Sequence, residues 1–206
     1  MLGHSQILNN FIYIFKKGLF ISPFFCSNIL MKNQLRQKAK EIRKTLDVEN
    51  FSKRVNQHLL NSDIYRNAKN ILCYYSIGSE VCTHSFFEDK TKNWFLPRIN
   101  GDYLEVCSYS KDLICKNNFK VLEPNTKVID DLSIIDLIII PCVCADKNGY
   151  RLGYGKGYYD RLLKQFDKNV KKVILTYSDL LFDSVYPDNF DEKADIVITD
   201  KDVYII

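Results

Sequence analysis

The residues best suited to chemistry form one run, Arg-Leu-Gly-Tyr-Gly-Lys-Gly-Tyr-Tyr-Asp, at positions 151–160. Its glycines, Gly153, Gly155 and Gly157, leave the backbone bare, so that N–H groups can approach an anion closely. The guanidinium at the start of the run and the ammonium of Lys156 suit phosphate oxygens. The carboxylate at its end suits a magnesium ion bound to a nucleotide. This combination predicts a loop that binds phosphate.

The glycine spacing alone does not identify the ligand, because glycines in a G-x-G-x-G run also form ordinary turns. The run lacks the G-x-x-x-x-G-K-[ST] pattern of a Walker loop and the G-x-G-x-x-G spacing of dinucleotide-binding folds. A phosphate site here therefore needs a motif of another kind.

The elements around the run indicate where it lies. A strand is predicted over Asp136–Cys144, where four consecutive aliphatic residues indicate burial on both faces. The glycines follow it and lead into a predicted helix over Tyr159–Phe166 and a strand over Lys172–Tyr177. Such a strand–helix–strand unit has a right-handed crossover and parallel strands. The fold class is therefore predicted to be α/β, with the run in the crevice where such sheets bind ligands.

The remaining elements agree with this class. An amphipathic helix is predicted over Lys32–Leu46, from apolar residues spaced by four, three and four, and a second helix over Phe51–Leu60. Further strands are predicted over Asn70–Tyr75, Trp94–Leu96, Tyr103–Tyr109 and Ala194–Thr199.

Residues 1–30 differ from the rest of the chain, since they contain no acidic residue and carry Lys16 and Lys17 between apolar runs. No uninterrupted apolar run approaches the ~18 to 20 residues of a membrane span, so no membrane partner is expected. We expect an N-terminal extension over residues 1–30 and a functional beginning at Met31. A cleaved presequence stays an alternative.

Composition excludes several classes. With 46% hydrophobic and 26% charged residues, the chain is expected to be globular, and a net charge of +4 without a concentrated basic patch does not predict a nucleic-acid partner. The seven cysteines are odd in number, which favours reduced thiols. Cys142 and Cys144 form a C-x-C pair, for which core packing is favoured over zinc because further ligands are missing. His4, His58 and His84 have no partner spacing and are not expected to be catalytic.

The run Arg151–Asp160 resembles the signature loop of the 5-formyltetrahydrofolate cyclo-ligases. Other landmarks follow in the order of that family: Lys32-Asn-Gln-Leu-Arg36, Glu80, Leu96-Pro97-Arg98 and Glu123-Pro124. The resemblance extends from Lys32 to about Thr199. Residues 1–30 have no counterpart in it.

The resemblance implies a single three-layer α/β domain over residues 31–206, with a largely parallel central sheet flanked by helices. It also implies ATP- and Mg²⁺-dependent cyclisation of 5-formyltetrahydrofolate to 5,10-methenyltetrahydrofolate, through phosphorylation of the formyl oxygen and with release of ADP and phosphate. This chemistry needs positioning and charge neutralisation more than a protein nucleophile. The implied partner is the folate substrate, with or without a polyglutamate tail. The protein is expected to be a cytoplasmic monomer, or organellar if residues 1–30 are a presequence.

The resemblance also assigns roles to individual residues. The residues implied to bind ATP are Lys32, Arg36, Arg151, Gly153, Gly155, Lys156, Gly157, Tyr158 and Tyr159, of which Lys156 and Arg151 are implied to be catalytic. The residues implied to bind the folate are Tyr75, Glu80, Tyr154 and Tyr158. The implied magnesium ligands are Asp160 and Asp191.

Some alternatives stay open. Asp195 competes with Asp191 for the metal, and Tyr158 is favoured over Tyr159 because adjacent helical residues point about 100° apart. Without the glycine run, Lys32 and Arg36 would be interpreted as part of a basic, solvent-exposed face of the predicted helix. Other functions for this fold class are a sugar-phosphate isomerase or CoA transferase, and a non-catalytic nucleotide-binding module.

Overall fold

The computed structural model describes residues 23–114 and 122–206, and the first elements of this part are three helices. They are α1 (Pro23–Arg43), α2 (Val48–Leu60) and α3 (Asp63–Asn67). The carboxylate of Asp47 caps α2 by accepting a hydrogen bond from the backbone N–H of Asn50 at 3.2 Å. Residues 1–22 of the expected extension lie outside the described residues, whereas α1 continues through Met31. The functional beginning at Met31 stays a prediction.

A seven-stranded sheet forms the centre of the fold. Its strands are β1 (Asn70–Leu72), β2 (Asn93–Asn100), β3 (Tyr103–Ser108), β6 (Leu137–Ile140), β9 (Lys171–Leu175), β11 (Ile196–Ile198) and β12 (Val203–Ile205). Their order is β12-β11-β9-β6-β1-β2-β3. The four inner pairings are parallel, and the edge pairs β2–β3 and β11–β12 are antiparallel. The largely parallel sheet is thus confirmed.

Shorter elements complete the chain. They are β4 (Leu113–Ile114), β5 (Glu123–Pro124), β7 (Cys144–Asp146), β8 (Arg151–Leu152), α4 (Tyr158–Leu163) and β10 (Leu181–Phe182). Strands β4 and β5 pair with each other, and β10, β7 and β8 form a three-stranded sheet.

The core lies on both faces of the central sheet, because successive residues of a strand point to opposite sides. On one face, Ile71, Leu137, Ile139, Val173 and Ile198 share a buried cluster with Ala39, Val55 and Leu59 of α1 and α2. On the other face, Leu72, Ile138, Ile140, Ile174 and Val197 pack with Leu162 and Leu163 of α4. Helix, sheet and helix therefore form the expected three layers.

The prediction of one continuous strand over Asp136–Cys144 is wrong, because the structure divides this segment between two sheets. Strand β6 ends at Ile140, and the chain leaves the central sheet at Pro141, whose nitrogen has no hydrogen to donate to a ladder. Residues from Cys144 onward belong to the hairpin β7–β8 of the smaller sheet. The buried carboxylate of Asp146 orders its turn by accepting from Asn148 N at 3.0 Å and Tyr150 N at 3.1 Å. The glycine run therefore follows this hairpin and not the central strand.

The cysteines of the C-x-C pair lie in the interior, as predicted. Cys142 and Cys144 are buried free thiols, and burial raises the pKa of Cys144 to about 12. A thiol of this kind is unreactive at neutral pH and packs as a small hydrophobic residue. Cys26 and Cys115 lie among residues whose side chains the structure does not describe.

The topology defines one switch point. The neighbours of β1 are β2 on one side and β6 on the other, so the chain runs outward in both directions from the gap between β1 and β6. Ligands of open α/β sheets bind beyond the carboxyl ends of the strands at such a point. Within residues 23–114 and 122–206, none of the helices has the length and apolar character that crossing a bilayer requires.

Candidate functional site

The glycine loop (residues 153–157) presents bare backbone and one exposed cation. Gly155 and Gly157 have φ angles of +96° and +65°, in the left-handed region that glycine adopts without strain. Arg36 of α1 supports the loop, since its Nε donates to the carbonyl of Gly153 at 2.9 Å. The Lys156 ammonium is exposed, and no acid among the described residues forms an ion pair with it. It is therefore available to an anionic ligand.

Arg151 is placed differently from Lys156. Its side chain is 4% exposed, and its two terminal nitrogens donate to Asp160 Oδ1 at 2.9 Å and to the carbonyl of Glu192 at 3.0 Å. Asp160 also accepts from the backbone N–H of Glu192 at 3.2 Å. Arg151 thus joins the start of the loop, α4 and the segment before β11.

Lys32 of α1 binds two acidic residues of the loop that precedes β11. Its Nζ lies 2.7 Å from Asp188 Oδ2 and 2.7 Å from Asp191 Oδ2. Burial disfavours the charged form of Lys32, but the hydrogen bonds that it donates to these carboxylates, together with their negative charges, outweigh this effect and raise its pKa. Sequence reasoning missed Asp188, although an acid three residues before Asp191 was a visible signal.

Both predicted metal ligands are close to the backbone of Glu192. Asp160 bonds to its N–H and Asp191 is its neighbour in sequence. Each uses one carboxylate oxygen for a cation, and both are the hard donors that magnesium takes together with phosphates and water. Among the described residues no group of three or more His, Cys, Asp or Glu could hold a metal ion by itself. The donor set fits a magnesium ion that arrives with a nucleotide.

Asp195, the alternative metal ligand, lies away from this region. Its Oδ2 accepts from Lys172 N at 2.8 Å, at the start of β9. Because β9 and β11 are parallel, this is the amino edge of the sheet, opposite the carboxyl ends of its strands. Asp195 is thus separated from the glycine loop, and the metal role of Asp191 stays a prediction.

Glu80 lies in the Glu80 loop (residues 76–83), which follows β1. The residue is 6% exposed, and its carboxylate accepts from Ile77 N at 3.0 Å and from the Tyr154 hydroxyl at 3.1 Å. Burial raises the pKa of Glu80, although these hydrogen bonds and the charge of Arg43 act in the opposite direction. Tyr154 is 65% exposed, so it joins the glycine loop to Glu80 and still presents its ring to solvent.

Tyr75 lies beside the Glu80 loop in an aromatic stack. Its ring is 4.1 Å from that of His84 and 5.6 Å from that of Phe87, between centroids. The ring is half-buried, and Tyr75 and His84 flank the Glu80 loop at its two ends. A flat aromatic ligand suits this arrangement.

Tyr158 and Tyr159, at the start of α4, point in different directions. The Tyr158 hydroxyl donates to the carbonyl of Gly101 in the β2–β3 turn at 3.2 Å, whereas the guanidinium of Arg151 lies 5.9 Å from the Tyr159 ring centroid. Neither contact tests the preference for Tyr158. Sequence reasoning missed Arg161, which donates to the carbonyls of Asp102 at 3.0 Å and Lys156 at 2.9 Å and fastens the glycine loop to that turn.

The remaining family landmarks support the sheet. Arg98 pairs with Glu105 across the β2–β3 hairpin at 3.0 Å and donates to the Thr126 carbonyl at 2.8 Å. Glu123 accepts from the backbone of Ile99 at 2.9 Å. These residues hold β5 against the hairpin on which the glycine loop rests.

Known proteins resemble this chain over most of its length. The family model described as the 5-formyltetrahydrofolate cyclo-ligase family matches residues 28–200. The 5-formyltetrahydrofolate cyclo-ligase of Haemophilus influenzae is 33% identical over 163 residues, which cover 73% of this chain and 87% of that protein. The protein of the same name from Mycoplasma pneumoniae is 30% identical over 174 residues, covering 82% and 99%.

Solved structures agree with the sequence comparisons. The structure of Aquifex aeolicus 5,10-methenyltetrahydrofolate synthetase matches with a TM-score of 0.74 at 31% identity, covering 85% of this chain and 92% of that one. The family match contains the glycine loop, Glu80, Asp160 and Asp191. The chain belongs to the 5-formyltetrahydrofolate cyclo-ligase family and is an enzyme of the ligase class.

Proposed function

We propose that the protein converts 5-formyltetrahydrofolate to 5,10-methenyltetrahydrofolate with ATP and Mg²⁺, releasing ADP and phosphate. The names of its relatives support the substrate and product. The observation that carries the proposal is the hydrogen bond from Tyr154 to Glu80, because it joins a loop suited to phosphate to a buried carboxylate beside an aromatic stack.

The folate would bind between Glu80 and the exposed aromatic rings. A carboxylate accepts two parallel N–H bonds from an amino group and a ring N–H, the donors that a pterin presents. Tyr154, whose hydroxyl already bonds to that carboxylate, and Tyr75 are proposed to contact the flat pterin ring, and Tyr158 is proposed to contact the same substrate. Two hydrogen bonds already hold the buried carboxylate of Glu80, so substrate binding would cost little side-chain entropy at this residue.

The nucleotide would bind along the glycine loop. Its bare N–H groups and the Lys156 ammonium would neutralise the triphosphate, with Arg36, Tyr158 and Tyr159 beside them. Arg151 and Lys32 act through carboxylates: Arg151 holds Asp160 and Lys32 holds Asp191, the two residues proposed for Mg²⁺. Held by Asp160 and Asp191, Mg²⁺ would supply positive charge to neutralise the charge that develops on the transferring phosphoryl group.

The chemistry follows from the weak electrophilicity of the formyl amide. Its oxygen attacks the γ-phosphorus, so that an O–P bond forms and the bond to ADP breaks. The aniline nitrogen of the folate then attacks the activated carbon, phosphate departs and the nitrogen loses its proton. Lys156 would stabilise the transferring phosphoryl group, and the two loops would hold the formyl oxygen and the γ-phosphate together.

The assay is direct. Purified protein with ATP, Mg²⁺ and 5-formyltetrahydrofolate should raise the near-ultraviolet absorbance of the methenyl product and should release one phosphate per turnover. Omitting ATP should abolish both signals. Folded protein that gives neither signal with all three components, or the same rate without ATP, would reject the proposal and favour an ATP-independent activity of the isomerase or transferase kind.

Location and assembly belong to the same proposal. We place the protein in the cytoplasm as a monomer, with an organelle as the alternative if residues 1–30 are a presequence. Fluorescent fusions of chains that begin at Met1 and at Met31 should both be cytoplasmic. Light scattering of the purified chain should give a mass near 24.1 kDa.

A further inference from the structure

A pair of buried hydroxyls contacts the backbone of the Glu80 loop. The Oγ of Ser52, on α2, is 3.0 Å from the hydroxyl of Tyr177, which follows β9. Tyr177 donates to the carbonyl of Glu80 at 3.0 Å, and Ser52 accepts from the backbone N–H of Cys82 at 3.0 Å. Two elements remote in sequence therefore hold the backbone of the loop on both sides of Val81.

The direction of each hydrogen bond in this pair is determined. Tyr177 has one proton, which is directed at the Glu80 carbonyl, so the Ser52 hydroxyl donates to the Tyr177 oxygen. The Ser52 oxygen then accepts from Cys82. Both hydroxyls are fully used, in a site where Tyr177 is 0% and Ser52 2% exposed.

The surrounding residues reinforce the same backbone. Asn56, one turn further along α2, donates to the carbonyl of Cys82 at 2.7 Å. Arg43 donates to the carbonyl of Ser79 and, at 2.9 Å, to that of Val143 beyond β6. Within the loop, Thr83 and Ser76 bond to each other's backbone. The loop is closed by its own residues, but its position relative to the sheet depends on α1, α2, Tyr177 and Tyr74, whose hydroxyl donates to the carbonyl of Val81 at 2.9 Å.

The hydroxyl of Tyr177 is not needed for packing. Its ring lies in the main buried cluster, where phenylalanine would fill nearly the same volume. A buried hydroxyl is unfavourable unless it is hydrogen-bonded, and here both of its bonds serve the Glu80 loop. The same holds for Ser52, on the buried face of a helix whose other members are apolar or amide side chains.

We propose that Tyr177 and Ser52 are positioning residues, whose paired hydroxyls fix the Glu80 backbone and so aim its carboxylate at the pterin. The proposal rests on the proposed role of Glu80 in binding the folate. Neither hydroxyl touches a ligand; both act through the loop. Their loss should weaken folate binding far more than nucleotide binding, because Arg36 and Arg161 hold the glycine-loop backbone at Gly153 and Lys156, and only the Tyr154 hydroxyl joins that loop to Glu80.

The test measures KM for both substrates in Tyr177→Phe and Ser52→Ala. We expect KM for 5-formyltetrahydrofolate to rise about fivefold in each, as the loss of one net hydrogen bond implies, with KM for ATP within about twofold of the parent value. Tyr65→Phe is the matched control: Tyr65 is also a buried tyrosine, whose hydroxyl donates to Asp89 at 2.8 Å. This control should lose a similar amount of stability without changing either KM. Equal rises in both KM values, or the same KM change in the control, would overturn the proposal.

A second measurement does not depend on catalysis. Amide hydrogen exchange of residues 77–82 should be at least tenfold faster in Tyr177→Phe, with exchange in α4 and the glycine loop unchanged. Unchanged exchange in residues 77–82 would contradict the positioning role. If exchange increases but Glu80→Gln leaves KM for the folate unaltered, the proposed substrate role of Glu80 fails while the structural coupling stands. The two failures are thus distinguishable.

Discussion

The glycine loop and the Glu80 loop meet at one hydrogen bond but are built in opposite ways. Residues 154–156 are exposed, and Lys156 has no acidic partner in the described part of the chain. The Glu80 carboxylate is buried, and the backbone around it is bonded to Tyr177, Ser52, Asn56 and Arg43. One loop offers free donors to solvent, and the other holds a single acceptor in a fixed place.

The difference follows from the ligands that each loop is proposed to bind. A triphosphate carries several negative charges, which an exposed cation and free backbone N–H groups can bind. Because these groups are solvated before the ligand arrives, their presence does not destabilise the fold. A pterin presents neutral donors, whose recognition depends on one carboxylate at the correct position and angle. Substitutions in the glycine loop should therefore change activity alone, whereas those around Glu80 should change affinity and stability together.

The largest effect should come from Lys156→Ala. Removing the cation from the proposed phosphoryl group should lower kcat about 10²–10³-fold, while the free energy of unfolding stays the same because the side chain is exposed. Steady-state kinetics and urea unfolding check both parts. Lys168→Ala is the control, because Lys168 is also an exposed lysine. It removes the same charge and should change neither kcat nor the free energy of unfolding. A Lys156→Ala protein with parent turnover would remove the basis of the comparison.

Arg151→Met should affect stability, although this residue belongs to the same ten-residue run. The change leaves Asp160 without its partner and should lower the free energy of unfolding by about 3 kcal/mol. For a chain of this length the thermal midpoint should fall by about 6–12 °C. Arg66→Met removes the exposed pair Arg66–Asp63 and should cost less than about 1 kcal/mol. Equal losses in the two variants would show that the Arg151 pair is not a structural clamp.

Of the two substrates, Glu80→Gln should affect only the binding of the folate. The neutral amide accepts weaker hydrogen bonds and presents one donor to the pterin donors, so KM for the folate should rise about tenfold to thirtyfold. KM for ATP should not change. Glu88→Gln, whose side chain is 65% exposed, provides the control. A rise in KM for ATP alone would reverse the assignment of the two loops.

The smallest effect concerns pH. Because burial raises the pKa of Glu80 in the folded state, the folded protein binds this proton more tightly than the unfolded chain. The stability that the carboxyl contributes is present below its ordinary pKa of 4.5 and is lost as pH rises through the raised value. Urea unfolding from pH 4 to pH 8 should show the parent losing stability relative to Glu80→Gln over that interval. A difference that grows in the parent's favour would show that hydrogen bonding outweighs burial.

The sequence identified candidate site residues within one short segment, but it did not predict which distant residues they contact. The glycines, Lys156 and Asp160 were identifiable because their types and spacing lie within one short segment. The role of Lys32 as partner of Asp188 and Asp191 was not, since the contacts cross more than 150 residues. No local pattern encodes a distance of that kind.

The Ser52–Tyr177 pair and the break at Pro141 show the same limit. Ser52 reads as a residue near a helix start, and only the approach of β9 to α2 turns it toward the Glu80 loop. The aliphatic run before Cys144 predicts a single strand, because hydrophobicity does not reveal where a chain passes from one sheet to another.

Patterns among neighbouring residues were enough to predict the α/β class and most strands and helices of the core, and they also predict a phosphate-binding role for the glycine run. Contacts between distant segments were needed to show that Arg151 is buried against Asp160 while Lys156 is exposed, and that Asp160 bonds to the residue after Asp191 while Asp195 lies at the amino edge of the sheet. The physical reason is that burial and pairing depend on which distant segments meet. These contacts result from the packing of helices on both faces of the sheet, and the order of residues within one segment does not reveal them.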